Sequence, residues 1–275
     1  MVFSRKRKDI NSSILYFLVI FGQFLVILVL YKQLKNEAST DLEHFSLKEM
    51  RQKSLSAGDK VRGKVLELSL KNGTQEFYDS LEEEAFCPVK MRVGGVGDSG
   101  KVTCDPRKAR KECTMMSLGL NDQIQFDEEI QSLTSNRCKI IGADMTKQNA
   151  TTQEKYARMR GQLFVGSIPD TLKLFRMMID SGSREVEILK IDIESAEHEA
   201  LEPFLKQYFV CQILVEIHGY PAKQLEMLRK ISKQGFRLFN YEPNPSCKIC
   251  CEYSFINEMC MARYQVTPLS VNIPL

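Results

Sequence analysis

Apolar positions along this chain follow two periods that take turns. Short runs of branched and aliphatic residues at Thr114–Leu120, Cys138–Ala143, Leu163–Ile168, Ile188–Ile193 and Val210–Ile217 read as strands buried on both faces. Between them, apolar residues recur every three or four positions, the spacing of a helix with one face on a core. Gln125–Leu133 is the first such segment. Pro169-Asp170 opens the next, which carries Leu172, Phe175, Met178 and Ile179 on one stripe and stops at Gly182. A third follows Ile193 until Pro203 interrupts or restarts it. In Pro221–Gln234, Leu225, Leu228 and Ile231 face inward and Gly235 is the stop. Phe236–Tyr241 and Glu252–Ile256 are the last strands. Strand alternating with helix at this spacing predicts an α/β domain on a doubly wound, mostly parallel sheet.

The N-terminal pattern is different. Ile14–Tyr31 is apolar except for Gly22 and Gln23. As a helix it just reaches across a hydrocarbon core of about 30 Å. It is longer than a signal-peptide core and lacks an A-x-A cleavage signal, so an uncleaved anchor is expected ahead of a cleaved signal. Arg5-Lys6-Arg7-Lys8 precedes it, against Lys32 and Lys35 after it, which places the N-terminus in the cytosol. The chain thus divides into a basic tail (1–13), a transmembrane signal anchor (14–31), a polar stem (32–84) and a lumenal domain (85–275). That is a single-pass type II membrane protein of the secretory pathway, in the endoplasmic reticulum, Golgi or cell surface.

Composition adds limits. In 275 residues, 43% hydrophobic and 27% charged, most of the chain can fold. A net charge of +3 gives no ground for nucleic-acid binding. Nine cysteines suit an oxidising lumen, and the odd count leaves at least one free or intermolecular thiol. Their pairing is open. Cys247-x-x-Cys250 lacks the partners of a zinc site, so no metal is expected. Asn72-Gly73-Thr74 and Asn149-Ala150-Thr151 are acceptor sequons for N-glycans. The glycines of Gly94–Gly100 lie between cysteines with no following helix, which favours a disulfide-pinned turn over a phosphate cradle.

Candidate chemistry gathers at predicted strand ends, where open α/β sheets bind ligands. Gly119 sits in a turn, SLGLND, after the first strand, where backbone and ligand can approach closely. Asp144 ends the second strand, where an acid can accept hydrogen bonds from ribose hydroxyls. Asp192 and Glu194 end the Ile188–Ile193 strand on one side of its pleat, although capping the next helix would also account for them. Glu216 and His218 end the fifth strand.

LKIDIESAEHEAL resembles the signature block of FkbM-type S-adenosylmethionine-dependent methyltransferases. SLGLNDQIQFDEEI, IIGADM, QILVEIHGYP, GFRLFNYEPNP and CEYSFIN resemble, in order, the blocks of the membrane-anchored methyltransferase-like family of animals. The resemblance covers about Phe86 to Ile256. It implies a Rossmann-like methyltransferase sheet of seven strands, the last antiparallel, with S-adenosylmethionine as cofactor. Gly119, Asn121 and Asp122 would lie toward its methionine part, Asp144 at its ribose, and Asp192 at cofactor and substrate. Leu120 and Asn121 stand where a second glycine is usual, Ser195 replaces the glycine after the acid, and His198 stands where tryptophan is frequent. The reaction expected is O-methylation of an unknown small-molecule or glycan acceptor. His218 is the candidate base, its ordinary pKa being near neutrality, with Glu194 and Asp192 next. A strand-end histidine held for packing is the plainer account of His218. Two alternatives stand beside the enzyme: a catalytically inactive binding or scaffold protein of this fold, and a type II glycosyltransferase using Asp192 and Glu194 at a metal.

Overall fold

The computed structural model describes residues 3–97 and 100–275, with side chains at positions 18, 20–33, 35, 46–97 and 100–275. It divides into two compact units, Met1–Gln52 and Lys53–Leu275. The first unit belongs to helix α1 (Phe3–Ser69), whose described apolar side chains from Leu18 to Tyr31 are exposed. Among the described residues no helix is long and apolar enough to cross a membrane. The anchor expected at 14–31 starts on side chains 14–17 and 19, which lie outside the described residues, as does the basic run at 5–8.

The second unit holds the remaining elements. They are α2 (Thr74–Tyr78), β1 (Ala85–Phe86), β2 (Lys90–Val93), β3 (Lys101–Cys104), β4 (Thr114–Leu118) and α3 (Gln125–Leu133). There follow β5 (Lys139–Asp144), α4 (Ala150–Arg158), β6 (Gln162–Val165), α5 (Leu174–Ser181), β7 (Glu185–Ile191) and α6 (Glu197–Leu205). The last are β8 (Phe209–His218), α7 (Pro221–Lys233), β9 (Phe236–Pro243), β10 (Cys250–Asn257), α8 (Glu258–Tyr264) and β11 (Thr267–Pro268). Seven strands form one sheet in the order β6-β5-β4-β7-β8-β10-β9. Its β4, β5, β6, β7 and β8 pair in parallel, while β10 runs antiparallel between β8 and β9. The order reverses direction at β4 and β7, which opens a crevice at their carboxyl ends.

The two faces of the sheet bury two apolar clusters, which is why the central strands are apolar throughout. Each fully buried aliphatic side chain, such as Leu189 or Ile213, contributes about 1.5–3 kcal/mol of transfer free energy. Residues 53–84, read from sequence as the end of a stem, lie within this unit, with Val61, Val65, Phe77, Tyr78 and Leu81 in its core. Glu84 is fully buried and accepts from Asn272 N at 2.7 Å, Ile273 N at 2.8 Å and Leu238 N at 3.2 Å, tying the C-terminal tail to β9.

The β2–β3 hairpin packs on the sheet through polar pins. The Gln212 side chain donates to Cys104 O at 2.8 Å and accepts from Cys104 N at 2.9 Å. Ser254 Oγ donates to Val102 O at 2.7 Å. Four cysteine pairs are joined: Cys87–Cys104, Cys113–Cys138, Cys211–Cys260 and Cys247–Cys250. The expected disulfide-pinned turn is therefore present at Cys87–Cys104, and the leftover thiol is the buried Cys251.

Three local expectations need correction. Pro203 does not break α6, which runs through it from Glu197 to Leu205, and its cost is the one bond that its missing N–H would have made to Glu199 O. The helix expected at Pro169-Asp170 begins at Leu174 instead. Thr171 closes a turn on Ser167, donating through its N to Ser167 O and accepting from Ser167 N at Oγ1, both at 2.9 Å. Strand β7 ends at Ile191, so Asp192 and Glu194 do not share a pleat. Glu194 and Ser195 have φ of 53° and 80° and turn the chain into α6.

Candidate functional site

A cleft of about 790 Å³ opens at the carboxyl ends of β4, β5, β6 and β7. Gly119, Asn121, Asp144, Thr146, Ile168, Asp170, Lys190, Asp192 and Glu194 are among the residues lining it. Gly119 is required by its surroundings: φ is +77°, and a Cβ there would lie 1.7 Å from the Asp192 carbonyl oxygen. The turn after β4 and the turn after β7 thus touch backbone to backbone. That contact brings Asp192 beside the glycine turn, although 72 positions of chain separate Leu120 from Asp192.

Asp144 lines the cleft as expected, but much of its carboxylate is engaged. Oδ2 accepts from Asn121 N at 2.7 Å, and Oδ1 accepts from Thr146 N and Thr146 Oγ1, both at 2.8 Å. With about four lone-pair directions on a carboxylate, this leaves roughly one for a ligand. Asn121 lines the cleft with φ of 45°, a left-handed conformation that asparagine tolerates. Asp122 is not brought to the cleft wall. Its N donates to Gln148 Oε1 at 2.7 Å and its Oδ1 accepts from Asn149 N at 2.8 Å, so it splices the loop to the start of α4.

The acids at the far side form a crowded cluster. Oxygens of Asp192, Glu216 and Glu252 lie within 4.8 Å of one another. The Lys101 ammonium, on a side chain 1% exposed, sits 3.3 Å from Asp192 Oδ2 and also pairs with Glu252. Burial, then the neighbouring Asp192 charge, pushes the Glu216 pKa up to about 7. Burial raises that of Glu252 to about 8, with the Lys101 charge pulling the other way. Lys101 and Glu252 could not be found from sequence, because hairpin and last-strand residues meet here only through the sheet.

His218 stands behind Glu194, its Nε2 3.5 Å from Glu194 Oε2, and is not part of the cleft wall. Its Nδ1 is 3.2 Å from Glu197 Oε1, which also accepts from His218 N at 3.0 Å. Burial alone would lower the His218 pKa. The hydrogen bond and charge of fully buried Glu197, with Glu216 and Asp192, outweigh it and raise the value to about 9. The near-neutral pKa expected from sequence is thereby corrected: at pH 7 the ring is an imidazolium. Glu197 was missed because its position inside a helix-start run of acids reads as dipole compensation.

Beneath the glycine turn, Lys190 is 4% exposed and donates to Gly119 O at 3.3 Å. Asp127, wholly buried on α3, accepts from Ser117 Oγ at 3.4 Å. Burial raises its pKa to about 6 against the pull of the Lys190 charge.

Residues 36–257 match the family model described as "Methyltransferase domain". The chain belongs to that methyltransferase family. No curated protein matches it. Among solved structures, Aeropyrum pernix fibrillarin with natively bound S-adenosyl-L-methionine is similar at 9% identity and a TM-score of 0.40, over 55% of this chain and 68% of that one. Fibrillarin pre-rRNA processing protein from Methanococcus jannaschii is similar at 10% identity and a TM-score of 0.37, over 62% and 84%. Precorrin-6y C5,15-methyltransferase from Geobacter metallireducens is similar at 8% and 0.38, over 56% and 85%. Likeness this distant says nothing of acceptor or partner. FkbM-type membership in particular is not what the family model reports.

Proposed function

We propose that this methyltransferase-family chain uses S-adenosylmethionine and methylates a hydroxyl oxygen of a small-molecule or glycan acceptor. The observation that carries the reading is the cleft itself. Gly119, Asp144 and Asp192 meet around about 790 Å³ at the crevice where the strand order reverses, within the volume range of small-molecule sites. The cofactor would be held by Gly119, Asn121, Asp144 and Asp192, and when bound it supplies an electrophilic methyl group. The chain's own work is to hold an acceptor oxygen within about 3–3.5 Å of that methyl and to take its proton. Glu194, 89% exposed, is the first acceptor of that proton, and His218 behind it draws the proton away in the molecules whose ring is neutral, a share that grows as pH rises toward about 9.

One observation favours the inactive scaffold reading: Asp144 already accepts three hydrogen bonds. The glycosyltransferase alternative is set aside by family membership. Calorimetric titration of S-adenosylmethionine into the full chain decides between the remaining two. Micromolar binding supports the enzyme, and none by a folded chain favours the scaffold.

For location, the reading is a type II anchor at 14–31 with the second unit in the secretory lumen. The sequence pattern and four joined cysteine pairs support it. N-glycans would sit at Asn72 and Asn149, both exposed. Asn149 Oδ1 caps α4 by accepting from Thr152 N at 2.9 Å, which leaves its amide nitrogen for the sugar. Loss of a mass increment on glycosidase treatment, removed in turn by Asn72→Gln and Asn149→Gln, checks this.

A further inference from the structure

The cleft is electrically lopsided. Asp144, Asp170, Asp192, Glu194 and Glu199 line it, and Lys190 is the one cation among the described lining residues. That lysine is an unusual place to store charge. It is 4% exposed, and its ammonium has three donors but makes one hydrogen bond among the described residues, a long one of 3.3 Å to Gly119 O. No described carboxylate comes within ion-pair distance of it. Its partner across the core, Asp127, acts on it only from further away. An ammonium removed from water and so sparsely bonded is costly unless something else completes it. Burial accordingly holds its pKa below the ordinary lysine value.

What would complete it is an anion reaching the floor of the cleft beside the glycine turn. S-adenosylmethionine carries a sulfonium, an ammonium and one carboxylate. Two positive charges suit a wall of acids, and one negative charge suits one lysine. We propose that Lys190 is the carboxylate-binding residue of the cleft and seats the terminal carboxylate of the cofactor's methionine moiety. The proposal rests on the cofactor reading above. Lys190 in β7 and Asp192 just beyond its end both line the cleft, so a single strand end would hold both ends of the amino-acid group, the lysine its carboxylate and the aspartate its ammonium. Lys190 is a binding residue here and has no part in moving the methyl group.

The test compares S-adenosylmethionine with decarboxylated S-adenosylmethionine, which keeps both positive charges and lacks only the carboxylate. Both are titrated calorimetrically, without acceptor, into the full chain and into Lys190→Met. Methionine keeps the length and loses the charge, so the variant should fold, and thermal unfolding confirms it. The native chain is expected to prefer the carboxylate-bearing form by about 30-fold, the worth of a charge-assisted hydrogen bond. Lys190→Met should bind both forms alike, at about the native affinity for the decarboxylated one. A native chain that binds the two forms equally overturns the proposal while leaving the cofactor reading intact, and does so without any variant. A Lys190→Met chain that keeps the preference also overturns it, since the carboxylate would then be held elsewhere. A native chain that binds neither form removes the cofactor reading and this proposal with it.

Discussion

Two strand ends of one sheet hold carboxylates in opposite ways. At the end of β5, Asp144 is satisfied by two backbone N–H groups and a hydroxyl, and it shapes the loops around the cleft. At the ends of β7, β8 and β10, Asp192, Glu216 and Glu252 face one another with Lys101 among them. Charge bonded to backbone is fixed in place, whereas charge opposed to like charge is held ready to take up a proton. The first arrangement makes a ligand-shaped wall and the second makes a place for proton chemistry. The fold separates those two duties by strand.

The largest effect expected is on the reactive side. His218→Asn removes the proposed base and should lower kcat by about 10²- to 10⁴-fold, with S-adenosylmethionine affinity unchanged within about twofold. Steady-state kinetics beside calorimetry measures both. Loss of cofactor affinity together with kcat would make His218 a structural residue, as its Glu197 contacts also permit. Next comes Lys101→Met. Removing the ammonium takes the ion-pair partner from Asp192 and Glu252 in a buried cluster, and about 3–5 kcal/mol of unfolding free energy should be lost by urea denaturation. An unchanged urea midpoint would mean that the carboxylates are already neutral and that the cluster is not held by charge. On the shaping side, Asp144→Ala strands the N–H groups of Asn121 and Thr146 and should cost about 1–3 kcal/mol. Because the loops bear on the cofactor, its affinity should fall too. An affinity that falls with no change in stability would show instead that Asp144 binds ligand directly.

The two sides were not equally legible in the sequence. Runs such as Val210–Ile217 betray buried strands, and Asp144 follows its strand directly, so the sheet and its acids could be read from local pattern. Asp122 could not be assigned rightly, because its partners Gln148 and Asn149 lie across a loop crossing that no periodicity encodes. The strand-end cluster was half visible. Asp192 and Glu194 stood out, but Lys101 arrives from a hairpin pinned to the sheet through Gln212 and Cys104, and Glu252 from β10, set opposite Glu216 by antiparallel pairing. Lys190 was in plain view in LKIDIE. A lysine inside a buried apolar strand was the available signal, since such a charge needs a partner, but the local pattern does not say which cleft it faces.

The smallest effect is also the one in which the two sides disagree most clearly. Glu216, Glu252 and His218 all hold protons more tightly folded than unfolded, at about 7, about 8 and about 9. For each of these the folded state binds more protons than the unfolded one, so stability falls as pH rises. The His218 share is fully present below its unfolded pKa of about 6.5 and is lost as pH climbs through about 9. The carboxylate shares fade earlier, from about 4.5 up to about 8. With solvent screening of a half-buried group, the His218 part should amount to about 1 kcal/mol between pH 6 and 9. Urea midpoints of the native chain should therefore drop across that interval, and those of His218→Asn should drop less in its upper half. The same titration should appear in activity with the opposite sign, since only neutral His218 can take a proton, so kcat should rise toward pH 9 while stability declines. A kcat profile flat from pH 6 to 9 would remove His218 from the chemistry and leave Glu194 and Asp192 as the proton acceptors.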